Sequence, residues 1–339
     1  MQKHRSLIFL SLGALLLLAL LMGIVVGAVA ISPAEIAKLF WGPADPTYAL
    51  IIGQVRLPRL LLAALVGGAL GLCGAVMQGL FRNPLADPYL LGIAGGATAG
   101  AALTIALRWD IYWGAVPLGA FLGGLLAVTL VYRLGQTRWA KLDNYALILA
   151  GVALAALFSA VTSFLLYYYG GAGQDLRRLI FWILGGLGGA QWLYVGLLAL
   201  VLFAVGALLV LFSRELNALS LGEEMAAHLG IQPRRLRRAL LTAVTLLTAS
   251  AVAVAGTIGF VGLVVPHILR LIVGPDHRLL LPASALGGAV LLTLCDTVAR
   301  SFLPPTELPV GIITALLGAP FFLWLLHWRA ARRAPGVSL

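Results

Sequence analysis

Few side chains in this sequence could do chemistry, and most of them are arginines and acids near the ends of apolar runs. Asp296 and Arg300 stand four residues apart, acid first, on one face of a helix in the orientation that favours an ion pair. A carboxylate placed there either carries protons or holds a structural pair. Cys73 and Cys295 have no metal-like spacing and read as small buried hydrophobes. None of the three lysines, Lys3, Lys38 and Lys141, follows a glycine, so no G-x-x-x-x-G-K-[ST] phosphate-binding loop exists. HExxH and GxSxG are also missing. The expectation is a protein with no catalytic residues, no metal site and no cofactor: a passive pathway driven by an outside motor. An ion-coupled secondary carrier is the alternative from another class.

Residues 214–238, RELNALSLGEEMAAHLGIQPRRLRR, form the longest polar interruption in the sequence. Ser220 with Glu223 three residues on has the pattern of a capping box, and Gly230 suits a helix stop. Leu221, Met225 and Leu229 follow at i, i+4 and i+8, an apolar stripe on a helix too short to stand alone. Such a stripe needs a partner, either a protein or, given the arginines that follow, a membrane surface.

The elements that position these groups are membrane spans. The composition is 61% hydrophobic and 10% charged, with mean hydropathy +1.03. Hydrophobic runs long enough to cross a bilayer as helices occur at residues 7–30, 60–81, 90–107, 111–132, 145–168, 192–212, 280–303 and 309–328. Residues 239–273 make about 52 Å of helix where two crossings need about 60 Å. Gly256, Gly259, Gly262 and Pro266 puncture that run and favour a break over 256–260. Two short spans, or one span and a re-entrant piece, both fit. The basic residues Arg270 and Arg278 favour two short helices, so the fold class is all-α and polytopic, about ten transmembrane helices with short re-entrant or interfacial helices. With both termini cytoplasmic, 16 of the 23 Lys and Arg residues fall inside and 7 outside, as the positive-inside rule requires. The formal charge of +11 then follows from topology, and no nucleic-acid partner is expected.

Between spans, Ser32-Pro33-Ala34-Glu35 starts a short interfacial helix in a connection that runs from residue 31 to residue 59. Residues 179–188 are apolar but too few to cross, and read as re-entrant or interfacial. Residues 1–339 are expected to form a single permease domain, with 214–238 as its cytoplasmic loop.

Several blocks resemble FecCD-type permeases, the membrane subunits of type II ABC importers for vitamin B12, iron-siderophores and haem. They are RLPRLLLAALVGGALGLCGAVMQGLFRNPLADPYLLGIAGGATAG (56–100), LRRLIFWILGGLGGAQW (176–192), LNALSLGEEMAAHLGI (216–231), GTIGFVGLVVPHILRLIVGPDHRLLLPASALGG (256–288) and ELPVGIITALLGAPFFLWLL (307–326). The resemblance implies a homodimer in the bacterial inner membrane, with two copies of an ABC ATPase subunit below and a periplasmic substrate-binding protein above. It implies an ATPase-coupling role for Leu221, Gly222, Glu223, Glu224, Ala226, Leu229 and Gly230. It implies that Arg56, Arg59 and Arg300 dock the binding protein, with Asp296 holding Arg300 in place. A pathway near Asn83, Tyr167, Tyr168, Arg177 and Arg178 is also implied, although the tyrosines equally suit an interfacial aromatic belt. His267 lies in a shared block beside Pro266 and reads as structural. The expected cargo is an iron chelate, haem or a ferric siderophore, with cobalamin as the rival.

Overall fold

The computed structural model describes residues 2–27, 29, 31–42, 45–135, 144–169, 173–303 and 306–333. Arg138 and Lys141 of the basic tally, and the C-terminal residues 334–339, lie outside them. Fifteen helices follow in order: α1 (Gln2–Val25), α2 (Pro33–Trp41), α3 (Pro46–Leu50), α4 (Leu57–Leu80), α5 (Ile93–Ala106), α6 (Ala115–Leu134), α7 (Asn144–Tyr169), α8 (Gly173–Ile183), α9 (Trp192–Leu211), α10 (Ser213–Leu221), α11 (Glu223–His228), α12 (Pro233–Ala255), α13 (Val261–Val273), α14 (His277–Ser301) and α15 (Val310–Arg333). Seven helical stretches are long and apolar enough to cross a membrane, and the shorter apolar helices Ile93–Ala106, Val261–Val273 and Val310–Leu325 bring the number to ten.

The connection at residues 31–59 is shorter than expected. α2 forms with Ser32 as its N-cap, the hydroxyl accepting from Glu35 N–H at 3.2 Å. A new helix then begins at Pro46, capped by Asp45, and runs through α3 and a π-helical turn, Ile51–Arg56, into α4. Pro58 has no N–H to give to a helical ladder, and the wider turn just before it absorbs the mismatch. Arg56 and Arg59 therefore sit inside a helical span rather than in a loop.

Packing is closest where glycines replace side chains. α4 lies against α14 so tightly that a Cβ on Gly67 would stand 2.2 Å from the Gly288 carbonyl oxygen. Against α13, a Cβ on Gly74 would stand 1.8 Å from the Gly262 carbonyl oxygen. Backbone-to-backbone approach of this kind is how transmembrane helices associate without a hydrophobic drive between them.

The region at 239–273 resolves as one full span and one short helix. The polar start of α12 belongs to the helix, so its 23 residues reach about 35 Å, whereas the 13 residues of α13 reach about 20 Å. The break falls at residues 256–260, as expected from the glycines. Its backbone is satisfied by protein: Tyr89 Oη donates to Ile258 O at 3.1 Å and accepts from Ile258 N–H at 3.2 Å, and Gly186 N–H donates to Ala255 O at 2.9 Å. Non-helical backbone at membrane depth is tolerated only when it is enclosed in this way. α8 and the non-helical residues after it begin and end on the same side of the bundle. Arg178 donates to Asp110 and Gln191 accepts from Trp113, both in the α5–α6 connection, so the segment turns back on itself, as both the re-entrant and the interfacial reading require.

Candidate functional site

At one end of the bundle, α10, Gly222 and α11 form a projecting turn. Leu221, Met225 and Leu229 are 73%, 50% and 62% exposed, so the described residues leave much of the apolar stripe uncovered. Ala226 is fully buried and Leu216 and Leu219 are buried beneath, which anchors the turn while the stripe stays outward. Gly230 ends α11: its N–H reaches Ala227 O at 3.0 Å and Ile231 N–H reaches Ala226 O at 3.1 Å, the paired bonds of a Schellman stop.

The start of the turn differs from expectation. Residues 213–221 are themselves helical, so Ser220 lies in the last turn of α10 and its hydroxyl donates to Asn217 O at 2.6 Å instead of capping. Gly222, at φ +138°, makes the corner and supplies the N-cap of α11 without a side chain. Glu223, freed from a capping role, accepts from Arg237 Nη1 at 3.1 Å, and the Arg237 guanidinium lies over the Phe81 ring. Glu224 is exposed. A cleft of about 680 Å³ opens between these acids and Arg234, Arg235 and Arg238 of α12.

Beneath the turn, Asp276 caps α14, accepting from Arg278 N–H at 3.1 Å and from its guanidinium at 2.9 Å. Asn217 of α10 donates to the same carboxylate at 2.8 Å. The Arg278 contacts first, and the Asn217 bond after them, hold the Asp276 carboxyl down at about 2. A carboxylate depressed below its unfolded value, about 3.9, contributes stability above that pH and loses it as pH falls toward 2. Melting temperature of purified protein should therefore drop over that acid window by more in the wild type than in Asp276→Asn, with thermal unfolding at pH 5 and pH 3 as the measurement.

At the opposite end, the three arginines expected to dock a partner are inside the protein. Arg56, Arg59 and Arg300 are 4%, 7% and 4% exposed. Arg56 donates to the carbonyl oxygens of Ile24, Val25 and Val29, closing the C-terminus of α1. Arg59 meets Asp296 through Nε and Nη2 at 3.0 Å and Glu307 through Nη1 at 2.6 Å. Arg300 Nε stands 3.1 Å from the other Asp296 oxygen and its Nη2 reaches Gly23 O. Asp296 thus holds Arg300 as expected, and Arg59 as well. The arginines are covered because α3 extends the span outward past them and α1 packs over Arg56 and Arg300. Sequence reasoning missed Glu307 and Tyr89, neither of which has a local pattern pointing to a distant partner.

The residues suggested for a pathway do not converge. Asn83 lies on the same side as the α10–α11 turn, where its Oδ1 accepts from Leu85 N–H at 3.0 Å and shapes the chain after α4. Tyr167 and Tyr168 are exposed at the far end of α7, with Tyr168 stacked on Phe164. Arg177 lies over Phe181, and Arg178 pairs with Asp110 at 3.0 Å. Arg178 and Arg59 share the wall of one cavity of about 570 Å³ with Glu307, Trp182, Gly188 and Leu308. His267 is buried edge-on to Phe321, a packing role. Among the described residues no group of three His, Cys, Asp or Glu side chains could hold a metal.

Comparison with known proteins adds the assignment this geometry calls for. Halobacterium salinarum has a cobalamin import system permease protein, BtuC, that is 46% identical over 303 residues, covering 89% of this chain and 80% of that protein. The hemin transport system permease protein HmuU of Yersinia pestis is 44% identical over 289 residues, 83% of this chain and 84% of HmuU. A solved metal-chelate type ABC transporter in an inward-facing conformation superposes with TM-score 0.84 at 34% identity, over 95% of this chain and 99% of the other. With the profile of the FecCD transport family matching residues 15–328, the chain belongs to that family and is a multi-pass permease subunit of an ABC importer.

Proposed function

We propose that this permease carries an intact iron chelate, haem or a ferric siderophore, from the periplasm to the cytoplasm, as a homodimer driven by two copies of a separate ATPase subunit. The observation that carries the coupling half of this reading is the anchored turn with its uncovered stripe at Leu221, Met225 and Leu229. Leu221, Gly222, Glu223, Glu224, Leu229 and Gly230 form the ATPase contact, apolar at its centre and acidic at its rim, with Ala226 buried beneath them as the anchor of the turn. The excess of basic residues on that side supports a cytoplasmic position for the turn, in a bacterial inner membrane as proposed. An ion-coupled carrier fits less well, because Asp296, the acid buried within α14, is already paired with two arginines.

The chelate reading draws on the hemin permease among the relatives, and cobalamin is the second reading because a cobalamin permease is 46% identical. Arg56, Arg59 and Arg300 remain the proposed binding-protein contacts: an incoming carboxylate would reach Arg59 by exchange with Glu307, the partly exposed acid of the cluster, and would reach Arg56 and Arg300 only after α1 shifts off them.

Reconstitution tests the whole reading. With the ATPase and binding protein encoded beside it, the permease should take haem into vesicles only when ATP is supplied. Uptake of cobalamin alone would select the second reading, and uptake without ATP would overturn both. Glu223→Arg with Glu224→Arg should cut ATPase pull-down by about ten-fold or more, through like-charge contact at a complementary rim, while the folded permease survives.

A further inference from the structure

Asn217 uses both ends of its amide to join two elements about sixty residues apart in sequence. Nδ2 donates to Asp276 Oδ1 at 2.8 Å, and Oδ1 accepts from His277 N–H at 2.9 Å. The same Oδ1 lies 2.7 Å from His277 Nδ1, so the network places the imidazole proton on Nδ1. Nε2 then faces α4, where a Cβ on Gly79 would stand 2.5 Å away. The rest of the buried face of α10 is Leu216, Ala218 and Leu219, with Ser213 at its start. Apolar contact is non-directional, whereas a hydrogen-bonded amide fixes both distance and orientation. Of the two ties, only the amide can pull as well as push.

α14 starts at this latch and runs 25 residues to the opposite end, where it carries Asp296 and Arg300. Its contact with α4 is backbone on backbone at Gly67, Gly71 and Gly288, so the two helices have no soft side-chain layer between them. One helix, with Pro282 early in its length, therefore joins the coupling turn to the Arg59 cluster.

We propose that Asn217 is the positioning residue that transmits movement of the coupling turn to α14, and through it to the Asp296–Arg59–Glu307 cluster. This rests on the reading that α10 and α11 dock the ATPase. Removing the amide leaves the turn able to bind its partner but disconnects it from the far end.

The test uses the permease–ATPase complex in lipid nanodiscs, with nitroxide labels at Val298→Cys on α14 and Leu107→Cys at the end of α5. Both positions are exposed, and the native Cys73 and Cys295 are buried. In the otherwise wild-type complex, the distance between labels should change on the order of 2–5 Å between the nucleotide-free and vanadate-trapped states. Asn217→Ala should abolish that change while ATP hydrolysis stays within about two-fold. Asn217→Asp, which sets a second carboxylate against Asp276, should abolish it too. The pair Asn217→Asp with Asp276→Asn, which restores a donor opposite an acceptor, should recover it. An unchanged distance response in Asn217→Ala overturns the inference, as does a wild-type complex that hydrolyses ATP with α14 unmoved. Joint loss of hydrolysis and movement that the double variant leaves unrepaired also overturns it. Failure of the wild-type chain to bind its ATPase would break the functional reading itself, and pull-down separates that result from the others.

Discussion

Replacing Asp296 by alanine should destabilise the protein by about 3–5 kcal/mol, the cost of leaving buried charge without its counter-ion. One carboxylate, wholly buried, serves two guanidinium groups: Arg59 takes it through Nε and Nη2, and Arg300 takes it at 3.1 Å. Without it the two cations face each other with only Glu307 left, and Glu307 reaches Arg59 alone. Water makes up little of the loss, because Arg59 and Arg300 are only 7% and 4% exposed. The double variant Asp296→Ala with Arg300→Leu should recover a substantial part of the loss, since it removes one unpaired charge along with its partner. Thermal melting of purified protein in detergent measures both, and a melting temperature for Asp296→Ala equal to that of the wild type would refute the argument.

The second large effect is steric. Gly74→Ala places a methyl group 1.8 Å from the Gly262 carbonyl oxygen and 2.6 Å from its Cα, and both are backbone atoms that no rotamer change can move. α4 and α13 must separate, at a cost of about 1–3 kcal/mol or more from overpacking alone. The separation would also pull on the Gln78 side chain, which donates to Leu263 O at 3.0 Å across the same contact. Gly13→Ala on α1 supplies the comparison, because nothing lies within 4 Å of its added methyl. Melting temperature and the yield of monodisperse protein should fall sharply for Gly74→Ala and stay level for Gly13→Ala. Equal behaviour of the two would show that the close approach carries no stability.

These contrasts also explain which parts of the molecule could be read from the sequence. Features determined by neighbours along the chain were legible. The spans follow from runs of apolar residues, the break at residues 256–260 from glycines in series, and the interfacial helix α2 from Ser32 ahead of Pro33. The exposure of Leu221, Met225 and Leu229 was legible in their spacing, but the single helix it implied does not form, because the corner at Gly222 leaves Leu221 in α10 and puts Met225 in α11. What stayed hidden depends on partners far away. Arg59 meets acids 237 and 248 positions later, and Tyr89 meets Ile258 across 169 positions. No local pattern encodes such meetings. Ser220 misled for a related reason: its spacing to Glu223 suits a cap, but helix α10 claims the serine first and Arg237 claims the glutamate. Arg56 and Arg59 looked like surface charges because arginines beside a proline suggest a span boundary. Carbonyl oxygens of α1 and the carboxylate of α14 accommodate them inside.

The short helix α13 has a freedom that the long spans lack. It is flanked on both sides by non-helical backbone, with Gly256 at φ +68° before it and Gly274 at φ +86° after it. Glycine crosses that region of backbone space at little cost. Rotation about these two points leaves every hydrogen bond within α13 intact, whereas bending a continuous span would break part of its ladder. The segment is a short strut between two glycine corners: any change in its tilt would be taken up at Gly256 and Gly274, and would have to carry the Gly74–Gly262 contact and the Gln78 bond to Leu263 O with it.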